Sequence, residues 1–449
     1  MQFQKVLIAN RGEIARRIAR TLKERGIGVV AVYSEADRDL PFVREADEAV
    51  CIGPPPVAQS YLNGKAIIRA AKETGAEAVH PGYGLLSENA GFAREVMDAG
   101  LCFIGPDPEV IARMGDKVTA RKVMEEAGVP VVPGTPGGVH TWEEAAREAD
   151  RIGYPVMLKA SAGGGGIGMH VIRSREELEK LFPSAQGRAK AYFGDGTLFL
   201  EKFVESPRHV EVQILADAQG NTVHLFEREC SIQRRNQKVV EECLSPSIEP
   251  ATRQKLTDAA IRAAKAVGYT GAGTVEFLVD AKERIYFLEM NTRLQVEHPV
   301  TEAVTGLDLV GLQLDVAEGK PLPFSQADVT PKGHAIEYRI YAEDPERFLP
   351  SPGKVTRFQM LQGEGIRVDA GVESGNTVSP YYDPMVAKCI VSGCNRGEVL
   401  ERSRQVLAAF QVEGIKTNLP LLQKIVHDVR FVQGKYDTGF LNNKPIQQR

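Results

Sequence analysis

The chain has 449 residues, room for two to four domains each with its own core. Its net charge of −4 and pI near 6.2 exclude the basic surface that nucleic acid or an anionic membrane would require. No apolar run approaches the ~20 residues of a membrane span. Six Cys without a Cys-x-x-Cys pair read as reduced cytosolic thiols, not as a disulfide framework or a zinc site.

Met1-Gln-Phe-Gln-Lys5 lacks the charged-then-apolar pattern of a secretion signal, so a cytoplasmic location is expected. Lys5-Val-Leu-Ile-Ala-Asn10 reads as a buried strand. A turn at Arg11-Gly12 leads into a helix with Ile14, Ile18 and Leu22 on one face. Gly28–Tyr33 is the next strand, and helices and strands alternate to Cys102–Gly105, the pattern of an open parallel sheet covered on both faces. The first turn has a single useful Gly, so a Rossmann cofactor site there is weakly supported. His80-Pro-Gly-Tyr-Gly84 follows a strand end and reads as a loop lining a cleft, although loop punctuation alone explains its residues. One boundary falls near Gly115. A second falls near Lys332, after which short strands such as Ala335–Ile340 appear, with a final helix from about Arg396. The expected domains are therefore 1–114, 115–332 and 333–449.

The middle segment carries the strong motifs. Tyr154-Pro-Val-Met-Leu-Lys159 is a strand ending in a lysine, and a glycine loop through Gly163, Gly164, Gly165, Gly166 and Gly168 follows. The formal G-x-G-x-x-G match fails on context, because Met169–Arg173 continues as a strand where the dinucleotide fingerprint opens a helix. A glycine loop between two strands is instead a flap whose bare N–H groups can close over phosphates, with the Lys159 ammonium beside them. In Pro207–Ile214, alternation puts His209, Glu211 and Gln213 on one face, and a strand with one wet face explains this fully. Arg234, Arg235 and Lys238 are three cations in five residues, which suits an anionic substrate or ordinary exposed ion pairing.

Thr274–Val279 and Arg284–Asn291 read as two strands joined by the polar turn Asp280–Arg284. If the hairpin turns symmetrically about the Lys282–Glu283 bond, Glu276 faces Glu289 and Thr274 faces Asn291. Like charges directly opposite are destabilising, so a cation should lie between them. Two carboxylates and an amide oxygen suit Mg²⁺ or Mn²⁺. A register slip of one residue would put the two Glu on opposite faces and remove that argument. The stretch Glu289-Met-Asn-Thr-Arg-Leu-Gln-Val-Glu-His-Pro299 then concentrates carboxylates, amide, guanidinium and imidazole where a strand gives way to a loop.

Together with Arg11-Gly-Glu13, Ser87-Glu-Asn89, Gln233-Arg-Arg235, Gln237–Glu242, Tyr381–Met385 and Gly414–Asn418, these motifs resemble biotin carboxylase, end to end. The resemblance implies an ATP-grasp fold with an N-terminal open parallel-sheet, Rossmann-like domain, a C-terminal mainly β domain, and a mobile lid at about 131–203. It implies that Lys117, Lys159, Gly163 to Gly166, Met169, Glu201, Lys202, Phe203, Val204, His209, Gln233, Asn236, Glu276, Leu278 and Glu289 surround ATP. Glu276, Glu289 and Asn291 would hold two Mg²⁺ or Mn²⁺ ions. Lys238, Arg293, Gln295 and the Val296 backbone would cradle bicarbonate, Glu297 would take its proton, and Arg339 with Tyr83 would meet biotin. Two positions depart from the family pattern: Ile167 stands where many members carry a cation, and Asn236 where His is often found.

The activity so implied is ATP-dependent carboxylation of biotin on a carrier protein, through carboxyphosphate. No Met-Lys-Met segment is present, so the carrier should be a separate protein, with a carboxyltransferase partner and a homodimer as the family's habit. Acetyl-CoA is the favoured final acceptor, with pyruvate, 2-oxoglutarate and propionyl-CoA systems as alternatives. Another ATP-grasp ligase would share Lys159, Glu276 and Glu289, but it has no reason for Arg293, Glu297 and Arg339 together. A non-catalytic ATP-binding subunit should have lost one of these groups.

Overall fold

The computed structural model describes residues 2–161 and 169–442. Gly163 to Gly166 and Ile167 lie outside the described residues. At the N-terminus β1 (Lys5–Ile8), β2 (Gly28–Ser34), β3 (Glu48–Gly53), β4 (Ala78–His80) and β5 (Cys102–Phe103) form a parallel sheet in the order β3-β2-β1-β4-β5. Its strands are apolar on both faces because both are covered. Val6 and Ile8 pack toward Ile14, Ile18 and Leu22 of the helix Gly12–Glu24. Leu7, Val30 and Val79 pack toward Ile67, Phe92 and Val96 of the helices Gly64–Thr74 and Ala90–Asp98. The loops after β1 and β4 leave the carboxyl edge of this sheet together, since Asn10 Nδ2 donates to the carbonyls of Pro81 (2.8 Å) and Tyr83 (2.7 Å).

A small three-stranded sheet follows, formed by β6 (Val156–Ala160), β7 (His170–Ile172) and β8 (Leu198–Lys202) in the order β7-β6-β8. It is covered by the helices Trp142–Ile152 and Arg175–Phe193 through Ala145, Ala149, Leu178 and Phe182. β6 and β7 pair antiparallel, so the glycine segment connects strand to strand as its context requires.

The largest sheet has eight strands. These are β9 (Arg208–Ala216), β10 (Thr222–Arg234), β11 (Gln237–Cys243), β12 (Gly271–Val279), β13 (Ile285–Asn291) and β14 (His334–Tyr341), completed by two strands from further on. After the short β15 (Gly353–Lys354) and β16 (Arg357–Gln359) come β17 (Ile366–Ala370), β18 (Thr377–Val378), β19 (Met385–Gly393) and β20 (Gln411–Glu413). The order β13-β12-β9-β10-β11-β14-β19-β17 makes one sheet of segments from both sides of residue 332, with β11 hydrogen-bonded to β14. Val210, Val212, Ile214, Val275 and Phe277 pack on one face against Leu256, Ala260 and Ala263 of the helix Pro250–Ala266. The opposite face carries charge, and it is not wet. Glu211 and Gln213 are fully buried and His209 is 7% exposed, because Arg228 and the segment after β13 cover them. The alternation was legible, but a solvent-facing strand is the wrong account of it.

The carboxylate hairpin holds by a different route from the symmetric one. Thr274, Val275 and Glu276 face Asn291, Met290 and Glu289, as the symmetric turn requires. Phe277, Leu278 and Val279 face Phe287, Tyr286 and Ile285, one residue out of that register. The turn is tighter by one residue, and a bulge at Leu288 restores the phase before Glu289. Bulges commonly re-aim side chains beside sites in this way. Among the described residues, no helix is long and apolar enough to cross a membrane, and all six Cys are free thiols.

Candidate functional site

A fully buried arginine and a largely covered lysine organise the polar face of the large sheet. Arg228, with no exposed surface, donates to Glu211 (2.6 Å), Gln213 (2.7 Å), Thr301 (2.9 Å) and Thr274 (3.1 Å). Lys238 places its ammonium among three carboxylates, at 2.6 Å from Glu211, 2.8 Å from Glu276 and 2.7 Å from Glu297. Burial works against each of these charges. The Lys238 ammonium nevertheless holds Glu276 and Glu297 well below the usual carboxylate range, joined by His209 at Glu276 and by Arg339 and Arg228 at Glu297. The same carboxylates hold the Lys238 proton well above the ordinary lysine value, against its own burial.

Of the three clustered cations only Lys238 enters this site. Arg235 and Asn236 are the two turn residues of the β10–β11 hairpin, exposed and with φ of 51° and 65°. Two successive residues with positive φ make a tight turn in which Asn is well tolerated. Arg234 turns away to Glu343 (2.6 Å) and lies over the Phe348 ring at 4.6 Å.

The segment after β13 folds back over the sheet. Arg293 donates to Glu88 (2.8 Å), Gln295 (2.9 Å) and the Asn291 side-chain oxygen (3.0 Å), while Gln295 Nε2 reaches Glu276 at 3.2 Å. The Val296 carbonyl accepts from Lys388 Nζ (2.7 Å), which also lies 3.3 Å from Glu13. Glu297 receives Arg339 Nη2 at 3.0 Å on its second oxygen, and Arg339 Nε donates to Glu241 at 2.5 Å. Tyr83 donates its hydroxyl to Glu13 and presents its ring to Lys388 at 5.9 Å.

Beside this network is a cavity of about 290 Å³ lined by Lys117, Lys159, Glu201, Leu288, Glu289 and Asn291 among others, at the lower end of the size usual for small-molecule sites. Lys159 pairs with Glu201. Burial lowers the Lys117 proton affinity although Glu289 acts in the other direction. His209 Nε2 lies 3.0 Å from Glu276, the cross-strand partner of the cavity residue Glu289, and its Nδ1 lies 2.6 Å from the Gln233 amide. Leu278 sits opposite His209 on β12, half-buried, and Met169 precedes β7. Phe203 and Val204 follow β8, where the Phe203 amide donates to Pro155. The Lys202 ammonium is taken by the carbonyls of Gly153 (2.8 Å) and Tyr154 (2.9 Å), and Asn236 is exposed at the β10–β11 turn.

The residues present fit a divalent cation. Glu276 and Glu289 are cross-strand partners, and burial with the Glu276 charge pushes Glu289 above the usual carboxylate range. Among the described residues the Glu289 carboxylate has neither a hydrogen bond nor an ion pair, and Asn291 Nδ2 is buried without a partner. Oxygen donors of this kind in a charged cleft match the preferences of Mg²⁺ and Mn²⁺.

Sequence reasoning assigned no role to Arg228, Glu211, Glu241, Glu13, Glu88 or Lys388. Glu13, Glu88 and Glu241 lay inside motifs already singled out. Lys388 carried the same signal as Lys159, a lysine within an otherwise apolar strand, here with no exposed side-chain surface.

An N-terminal parallel sheet, a separate small sheet holding a lysine, and paired carboxylates at the end of an antiparallel hairpin define an ATP-grasp ligase. Family models agree along the chain: biotin carboxylase N-terminal domain over residues 2–111, carbamoyl-phosphate synthase L chain ATP-binding domain over 116–325, and biotin carboxylase C-terminal domain over 337–443. The biotin carboxylase of Halalkalibacterium halodurans is 57% identical, with 98% of each chain covered. The crystal structure of a Campylobacter jejuni biotin carboxylase–βγ-ATP complex superposes with a TM-score of 0.95 at 46% identity, covering 98% of both chains. The biotin carboxylase domain dimer of Hydrogenobacter thermophilus 2-oxoglutarate carboxylase, solved with MgADP, ADP and bicarbonate, gives 0.94 at 48% identity, covering 98% of this chain and 97% of that one. The chain belongs to the biotin carboxylase family.

Proposed function

We propose that this chain carboxylates biotin on a carrier protein, consuming ATP and bicarbonate and releasing ADP and phosphate. The observation that carries the reading is Lys238. Its one ammonium touches the expected metal carboxylate Glu276 and the expected base Glu297, and Glu297 in turn touches Arg339. Nucleotide, bicarbonate and biotin sites then share a single hydrogen-bonded network, as a reaction joining the three requires.

In this reading ATP enters the 290 Å³ cavity, its phosphates drawing Lys159 from Glu201 and meeting Lys117. Glu276, Glu289 and Asn291 hold the metal ions, which when bound neutralise phosphate charge. Bicarbonate lies among Lys238, Arg293, Gln295 and the Val296 backbone. Glu297 is ionised and can accept its proton, but a carboxylate held so low is a weak base. An anionic substrate beside Lys238 and Arg293 takes up part of their charge and so raises Glu297 toward the affinity the step needs. Deprotonated bicarbonate attacks the γ-phosphoryl to give carboxyphosphate and ADP. Carboxyphosphate breaks to CO₂ and phosphate, phosphate takes the biotin ureido proton, and Arg339 stabilises the oxygen that becomes negative as nitrogen attacks CO₂.

The domains follow as 1–114, 115–332 with a lid at about 131–203, and 333–449. The chain works as a homodimer in the cytoplasm, with a separate biotin carrier and a carboxyltransferase. Acetyl-CoA is the first acceptor to test and 2-oxoglutarate the second. ADP release by the purified chain with Mg²⁺ and bicarbonate tests the reading. Biotin should accelerate it, and release indifferent to bicarbonate would refute it.

A further inference from the structure

Beneath Arg339 lies a second acidic pair that the reaction described above does not use. Glu241 on β11 and Glu337 on β14 are cross-strand partners, and neither has any exposed surface. Cross-strand partners share a face with Cβ atoms roughly 5 Å apart. Glu241 gives one oxygen to Arg339 Nε at 2.5 Å. Among the described residues its other oxygen and both oxygens of Glu337 have no hydrogen-bond partner. Two ionised carboxylates so close in a dry interior would carry an uncompensated charge, whereas one shared proton removes it.

The cations in the neighbourhood are already committed. Arg339 is held by Glu241 and Glu297, and Lys238 by Glu211, Glu276 and Glu297. Lys388, the cross-strand partner of Arg339 on β19, is held by the Val296 carbonyl and Glu13. The other titratable groups on the elements around the pair are Cys230 on β10, Tyr341 on β14, Cys389 on β19, on which Glu337 acts directly, and His298 on the helix His298–Thr305 packed over β14. Burial holds the His298 ring neutral and the Cys230, Cys389 and Tyr341 protons on. Among the described residues each cation near Glu337 is therefore held by another group.

Resting on the biotin carboxylation reading, we infer that Glu241 and Glu337 share one proton and that Glu337 is a positioning residue for Arg339. With one proton the pair presents a single negative charge to Arg339, leaving its Nη2 edge for Glu297 and the developing oxyanion. With none, the pair presents two charges and draws the guanidinium inward, away from the substrate. The directions agree: burial, with the neighbouring carboxylates, raises Glu241 to about 7 and Glu337 well above the ordinary glutamate value, despite Arg339 and Lys388.

Difference infrared spectroscopy of the unliganded protein tests the proton directly. The wild-type chain should show the carbonyl band of a protonated carboxyl at neutral pH, and Glu337→Gln should lack it. In the wild type that band should disappear on alkaline titration together with the biotin-stimulated rate. In Glu337→Gln the alkaline limb of that rate should move up by about one pH unit or more, because position 337 can no longer charge. A difference spectrum without a lost carboxyl band, or a superimposable pH profile, overturns the inference. The wild-type titration alone decides the matter if the variant fails to fold. Absence of any bicarbonate-dependent turnover in the wild type would instead sink the carboxylation reading and with it the role of the pair, whatever the infrared result.

Discussion

Replacing Lys238 by Met should expose how much the buried carboxylates depend on it. The substitution preserves most of the side-chain volume and removes the ammonium that Glu211, Glu276 and Glu297 share at 2.6 to 2.8 Å. Arg228 still serves Glu211 and Arg339 still serves Glu297, so at least one further carboxylate must take a proton for the fold to persist. Protonating a carboxyl of ordinary affinity, near 4.3, costs about 4 kcal/mol at pH 7 and about 1 kcal/mol at pH 5. The upper figure matches the roughly 3–5 kcal/mol typical of breaking a buried pair. Glu276 and Glu297 are depressed in the wild type, so their stabilisation is present above the unfolded carboxylate range and is lost only as pH falls through their folded values. The proton shared by Glu241 and Glu337 gives both proteins the same downward slope between pH 5 and 7, so the variant should weaken steadily relative to the wild type across that interval. Urea unfolding of both proteins across that interval measures the gap. A difference below about 1 kcal/mol at pH 7, or one that does not shrink toward pH 5, would refute the reasoning.

Three further outcomes are expected. Arg339→Gln should lower the biotin-stimulated rate by about two orders of magnitude or more while reducing biotin-free ADP release far less, because the guanidinium serves the second step; equal losses in both would contradict that role. Glu289→Gln should weaken Mn²⁺ binding in a nucleotide-dependent spin-resonance titration about tenfold or more, since an unpaired carboxylate is lost from the donor set; unchanged affinity would remove Glu289 from it. Glu242 is lowered to about 2, burial being outweighed by Arg396 at 2.7 Å and by His334 at 2.6 Å. Glu242→Gln should therefore cost about 3 kcal/mol at neutral pH, with the penalty fading as pH falls from the unfolded value toward 2 in an unfolding series, and a penalty constant across that range would be the contrary result.

The hairpin carboxylates were legible because like charges directly opposite in an antiparallel pair demand a cation. The bulge at Leu288 was not, since two registers one residue apart differ in sequence by nothing more than where the turn closes. The face of β9 shows the limit of alternation. Polar residues at every second position say that a face is polar, and only its neighbours decide whether water or Arg228 satisfies it. Glu241, Glu337 and Lys388 were invisible for another reason. Each is a charged residue in a plausible strand, and its burial depends on the large sheet running unbroken past residue 332.

In the central step bicarbonate, not water, attacks the γ-phosphoryl while Glu297 takes its proton. Bicarbonate carrying labelled oxygen, turned over with ATP, Mg²⁺ and biotin, tests this in one step through mass analysis of the released phosphate. Label from bicarbonate should appear in phosphate in proportion to ADP, and turnover should vanish in Glu297→Gln. Phosphate whose new oxygen comes from solvent, or undiminished labelling in the variant, would contradict it.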